Sequence, residues 1–120
     1  MAEYLPVYKP GQALTLKAST TITARQVVAI SGVNTVAPAG AASTAVVGVA
    51  AFDAVLNDNV TIYAGGVQEV LASGAVTAGS PVIAGAAGTV VASATPPAGQ
   101  QVGIALTTGT DVVVRVQFGR

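Results

Sequence analysis

From Ala13 onward, apolar and polar residues alternate in short runs with the period of a β-strand. In ALTLKA, Leu14 and Leu16 oppose Thr15 and Lys17. In VTIYAGG, Val60, Ile62 and Ala64 share a face before a glycine pair ends the run. The longest alternation is DVVVRVQFGR, with Val112, Val114, Val116 and Phe118 on one side and Val113, Arg115 and Gln117 on the other. Turn formers divide these runs: Ser31-Gly32, Pro38, Asn57-Asp58-Asn59, Gly65-Gly66, Gly79, Gly85, Gly88 and Pro96-Pro97. The Ala-rich segment from Ala37 to Ala51 is the one candidate helix. Its Pro38, Gly40 and Gly48, with its Thr and Val content, oppose a full-length one. The pattern predicts a mainly β domain of many short strands over residues 13–120.

Residues 1–12, MAEYLPVYKPGQ, show neither strand nor helix period. Pro6 and Pro10 push Leu5 and Lys9 toward extended backbone. Two of the three tyrosines lie here. One reading is a frayed terminus. The other is an extended N-terminal arm whose Tyr4, Leu5, Pro6, Val7 and Tyr8 dock on a neighbour.

The remaining chain repeats itself. Ala18-Ser19 matches Ala72-Ser73, Ile22-Thr23-Ala24 matches Val76-Thr77-Ala78, Val28 matches Val82, and Thr35-Val36 matches Thr89-Val90, all 54 positions apart. After one residue of slip, Val47-Gly48-Val49-Ala50 matches Val102-Gly103-Ile104-Ala105. At the original offset, Val60-Thr61-Ile62 matches Val114-Arg115-Val116, and Gly65 matches Gly119. The self-similarity at fixed spacing marks an internal duplication, with copy one at about 17–66 and copy two at about 71–120. Two units are too few for a solenoid. A small β-barrel or sandwich-like domain, closing its edges between the copies, fits better.

Composition narrows the function classes. The chain is 52% hydrophobic, mostly Ala and Val, and 8% charged, with five basic and five acidic residues. Small side chains bury little area each, at about 25 cal/mol per Å², so self-association is expected. No basic cluster exists to neutralise phosphates, which argues against nucleic acid or an anionic membrane as partner. No charge falls between Glu69 and Asp111, but Gly and Pro interrupt every apolar run before the ~20 residues a membrane helix needs. The start carries no basic segment followed by an apolar one, so no secretory signal is expected. Without Cys there is no disulfide framework.

Candidate chemistry is sparse. His and Cys are absent, and with them the commonest general base and the readiest nucleophile. Neither G-x-S-x-G nor S-x-x-K occurs, nor the P-loop or dinucleotide glycine patterns in their strand–helix context. The acidic loop DAVLNDN offers Asp53, Asn57, Asp58 and Asn59 as oxygen ligands. Its spacing departs from a calcium loop, and LNDNV between strands reads as a hairpin turn. A biotinyl or lipoyl carrier, also a duplicated β structure, needs a lysine between its halves, and YAGGVQEVLASG has none. Catalytic, cofactor and metal residues are therefore expected to be none.

The motifs TA-x-x-x-V (Thr23 to Val28 and Thr77 to Val82), VGVAAFDA (Val47 to Ala54), VTIYAGGV (Val60 to Val67) and the terminal VVVRVQFG together resemble the small capsid decoration proteins of tailed bacteriophages, also called cement or head-stabilisation proteins. The resemblance spans nearly the whole chain. It implies a β-rich structural protein, made in the host cytoplasm and located on the capsid exterior of the virion. It further implies a homotrimer at three-fold and quasi-three-fold sites, with the major capsid protein as partner and no cofactor. An arm at residues 1–12 would reach the shell or a neighbour. Two other readings come from different classes. A carbohydrate-binding or adhesion module would rest on Tyr63, and an enzyme would need a cleft gathering Asp53, Asp58 and Glu69.

Overall fold

The alternation of Leu14 and Leu16 with that of Val60 and Ile62 fixes the first pairing. Strand β1 (Ala13–Ala18) lies antiparallel to β5 (Asn59–Tyr63), with Leu14 opposite Ile62 and Leu16 opposite Val60. The computed structural model describes residues 13–118; Tyr4, Leu5, Pro6, Val7 and Tyr8 lie outside that range. Strands β2 (Val27–Gly32), β3 (Thr35–Pro38) and β4 (Val46–Ala50) complete a closed barrel in the order β1-β3-β2-β4-β5. Closure comes from a parallel contact of β1 with β3, Lys17 opposite Thr35 and Ala18 opposite Val36. Inside are Ala18, Ile22, Val28, Val36, Val60 and Ile62, each at most 1% exposed.

The second half rebuilds this unit from β6 (Gly66–Leu71), β7 (Ala75–Val76), β8 (Pro81–Ala84), β9 (Val90–Ala92), β10 (Gln101–Ala105), β11 (Gly109–Thr110) and β12 (Val113–Phe118), with a 3-10 turn at Ala86–Gly88. The sheet order β6-β12-β10-β8-β9 reproduces that of the first half. Register repeats residue by residue. Leu16 opposite Val60 becomes Val70 opposite Val114, and Val28 opposite Pro38 becomes Val82 opposite Ala92. Even the closing contact recurs, reduced to one parallel bridge between Ala72 and Val90. The duplication read from the sequence is therefore a duplication of pairing geometry.

Two expectations need correction. The edges do not close between the copies: every strand pair among the described residues joins elements of the same half. The physical reason is that each half contains all five strands of the ring, so its free edges meet each other. Val112 does not continue the buried face of β12; it is 51% exposed, because Asp111 turns the chain with φ 53° just before the strand starts. In keeping with its Pro38, Gly40 and Gly48, the Ala37–Ala51 segment holds no helix and is divided between β3, a loop and β4.

The halves meet asymmetrically. Val27, Ala29, Ala39, Val46 and Val49 of the first half are at most 8% exposed, and they belong to one cluster with the interior of the second half, including Val82, Val90 and Val114. Onto this face docks the turn Ala86–Gly88. Gly88 N–H donates to Ala39 O at 3.0 Å, and Gln26 Nε2 donates to Ala87 O at 3.1 Å. Nearby, Ala42 N–H donates to Ala84 O at 2.9 Å. Gly88 has φ 76°, and a Cβ there would stand 2.8 Å from Gln26 Cβ, so the approach requires glycine twice over.

Candidate interaction surface

The candidate metal loop is a structural turn. Asp53 Oδ1 accepts from Ala24 N–H at 2.7 Å, and Asp58 Oδ2 accepts from Val55 N–H at 3.3 Å. Asn57 takes φ 70°, a left-handed value Asn tolerates, as the chain reverses into β5. The second half solves the same problem with a different residue: Thr108 Oγ1 accepts from Ala78 N–H at 3.0 Å, at the position matching Asp53. A carboxylate replaceable by a hydroxyl in this role is a turn fastener. Among the described residues, no group of three or more acidic, His or Cys side chains is placed to hold a metal ion.

The acids also fail to gather. Asp53 and Asp58 line an open depression of about 260 Å³ with Thr21, Ile22, Thr23 and Val55. Glu69 lines a different one of about 160 Å³, at the junction of the halves, with Arg25, Tyr63 and Gln68. There its carboxylate stands 4.0 Å from Arg25 and 3.8 Å from Arg115, and all three side chains are about half exposed or more. Exposed pairs at such distances contribute roughly 0–1 kcal/mol. Among the described residues, Tyr63 is the one aromatic lining that depression, and they form no paired aromatic platform for a sugar there.

What the surface does offer is apolar area. Eleven large hydrophobic residues among the described ones are more than 40% exposed, while no polar or charged residue is buried. The outer face of the β6–β12 ribbon is the most organised case. Leu71 and Val113 sit directly across from each other at 46% and 45% exposure, beside Val112, with Glu69 opposite Arg115 in the next outward pair. The matching outward pair of the first half is Lys17 opposite Asn59. The same backbone register thus carries a polar pair in one half and an apolar pair in the other. Fold alone does not require that difference, since both pairs face away from the barrels.

Sequence reasoning did not single out this ribbon. Its signal was present in the repeat, at the offset where Lys17 and Asn59 give way to Leu71 and Val113. An alignment scored for similarity passes over such a position.

Comparison with known proteins places these features in a wider group. The family described as phage cement protein matches residues 8–118. Among solved structures, the head fiber gp8.5 N base of bacteriophage phi29 is similar with a TM-score of 0.75 and 20% sequence identity, over 90% of this chain and 93% of that one. That likeness is one of fold. No curated protein matches in sequence.

Proposed function

The chain belongs to the phage cement protein family and is a structural protein of the virion rather than an enzyme; on that premise we propose that it binds the outer surface of an assembled capsid as a homotrimer at three-fold and quasi-three-fold sites and stabilises the shell. The observation that supports this most directly is the exposed Leu71–Val113 pair, set where the other half of the repeat carries Lys17 and Asn59. Surfaces of monomers seldom arrange large apolar residues without a partner to cover them. The occupant is the major capsid protein, and Tyr4 to Tyr8 of the N-terminal arm supply a second contact to the shell or a neighbour.

The mechanism is mass action. A protein that binds the assembled shell and not its dissociated subunits shifts the equilibrium toward the shell by RT ln(1 + [L]/Kd) per site. Many modest contributions then sum across a capsid. With 8% charged residues and zero formal net charge, the attachment is mainly apolar and loses little affinity as salt rises past the ~10 Å screening length of 0.1 M. Co-sedimentation of the purified protein with mature capsids tests this, with particle-bound density locating it. Binding that saturates at three copies per local three-fold site is the expected result. A protein that stays in the supernatant at every concentration and salt overturns the proposal.

A further inference from the structure

The contact between the two halves is heterologous, a turn of one unit on the outer strand face of the other, and each unit carries both parts. The chain uses the turn of the second half, Ala86–Gly88, and the face of the first half, Val27, Ala29, Ala39 and Val49. Among the described residues, the counterparts make no such contact within the chain. Residues 32–34 form the matching turn of the first half, where Val33 is 92% exposed and Asn34, with φ 54°, stands in the place of Gly88. The matching face of the second half is Pro81, Ile83, Ser93 and Ile104, with Gln101 in the place of Val46, all half-buried where the first-half residues are buried. Its backbone is already set: Ser93 N–H donates to Pro81 O at 2.9 Å, as Ala39 N–H donates to Val27 O at 2.8 Å.

We infer that the turn at residues 32–34 of one chain docks on the Pro81–Ile83–Ile104 face of a second copy, repeating between chains the contact that joins the halves within a chain. The side chains at the centre support this occupant. Inside the chain, Gly88 leaves room for Gln26. At the corresponding places, the turn residue has grown to Asn34 and the face residue has shrunk to Ser80. The two differences compensate, and they do so only if Asn34 and Ser80 meet. One bond cannot recur: the counterpart of Ala42, whose N–H reaches Ala84 O, is Pro96, which has no N–H. A heterologous contact closes into a ring when its rotation permits. This inference rests on the reading of the protein as a homotrimer and names the surface that would hold it together.

The experiment uses the full chain, which contains no Cys. Gly88 and Gln26 bring their Cβ positions to 2.8 Å, so Asn34 and Ser80 of neighbouring chains would lie close to the ~3.8 Å Cβ separation a disulfide prefers. The N34C/S80C double variant, oxidised in solution, is expected to give covalent dimers and trimers on a non-reducing gel, with the series ending at the ring. Either single Cys variant stops at dimers. Separately, N34R blocks the turn and I83R blocks the face. Each alone is expected to be monomeric by light scattering with the thermal melt of a folded protein, and the two mixed form a one-to-one dimer. Only monomeric disulfides, or blocked variants that keep the wild-type assembly state, overturn the inference. These measurements use free protein, so failure of capsid binding counts against the proposed function and leaves this interface standing.

Discussion

Gly48 lies against the backbone carbonyl of Tyr63, in the space any side chain on Gly48 would occupy. A Cβ there would meet that oxygen and also stand 2.8 Å from Ile62 Cγ2. The second half repeats the arrangement at Gly103, pressed on the Gln117 carbonyl and 3.0 Å from Val116 Cγ1. Both glycines sit in VGhA, where h is a branched apolar residue. That motif recurs because two strands of each ring must approach too closely there for any Cβ. Gly48→Ala and Gly103→Ala are each expected to lose about 1–3 kcal/mol of stability by overpacking. Gly40→Ala, with nothing within 4 Å, is the control and should stay within about 0.5 kcal/mol. Urea titration of the three variants distinguishes the cases, and equal midpoints would remove the close-approach argument.

Arg25 and Gly79 occupy matching turns and share left-handed backbone, at φ 71° and 89°. Gly79 has open space around it, so Gly79→Ala should cost only the backbone term, roughly 1 kcal/mol. Arg25→Gly relieves the same term and forfeits only an exposed ion pair to Glu69. Its melting temperature is expected to match or exceed that of the wild type, and a clear drop would show that the Arg25 side chain matters more than its geometry suggests.

Asp53 fastens a turn, so Asp53→Ala strands the Ala24 N–H and should cost about 1 kcal/mol. Adding calcium or EDTA should leave the melting curves of wild type and variant unchanged. A calcium-dependent rise in the wild type that vanishes in the variant would restore the metal reading.

Transplanting the polar pair of the first half into the second, as Leu71→Lys with Val113→Asn, keeps the β6–β12 register and removes the apolar surface. The double variant is expected to melt within a few degrees of the wild type and to bind capsids at least tenfold more weakly. Undiminished co-sedimentation would move the capsid contact elsewhere on the protein.

Deleting residues 1–9 removes the part of the arm that holds Tyr4 to Tyr8 and leaves β1 intact. Capsid affinity is expected to fall while the denaturation midpoint holds. Unchanged affinity would return those residues to the status of an ordinary chain end.

By itself the sequence determined the local units and their duplication. Alternation at Val60 and Ile62, or at Val114 and Val116, dictates strands because only one face of a pleat can be buried. The 54-residue offset preserves which face that is, and the family resemblance followed from the same small apolar motifs. Tertiary structure decided what no pattern could. Each half closes on itself because Ala18 meets Val36 and Ala72 meets Val90 in parallel, a pairing between residues distant in sequence with no local signature. The two copies pack turn against face, because Gly88, without a side chain, can approach Gln26 where Asn34 could not. Asp53 became a fastener because folding brought the Ala24 N–H to it across 29 positions. The surface too was settled in three dimensions: Leu71 and Val113 are 42 positions apart, and only their cross-strand register makes them one apolar patch. Local periodicity encodes what each strand buries, whereas contacts between strands depend on where the chain returns, and that is fixed by packing.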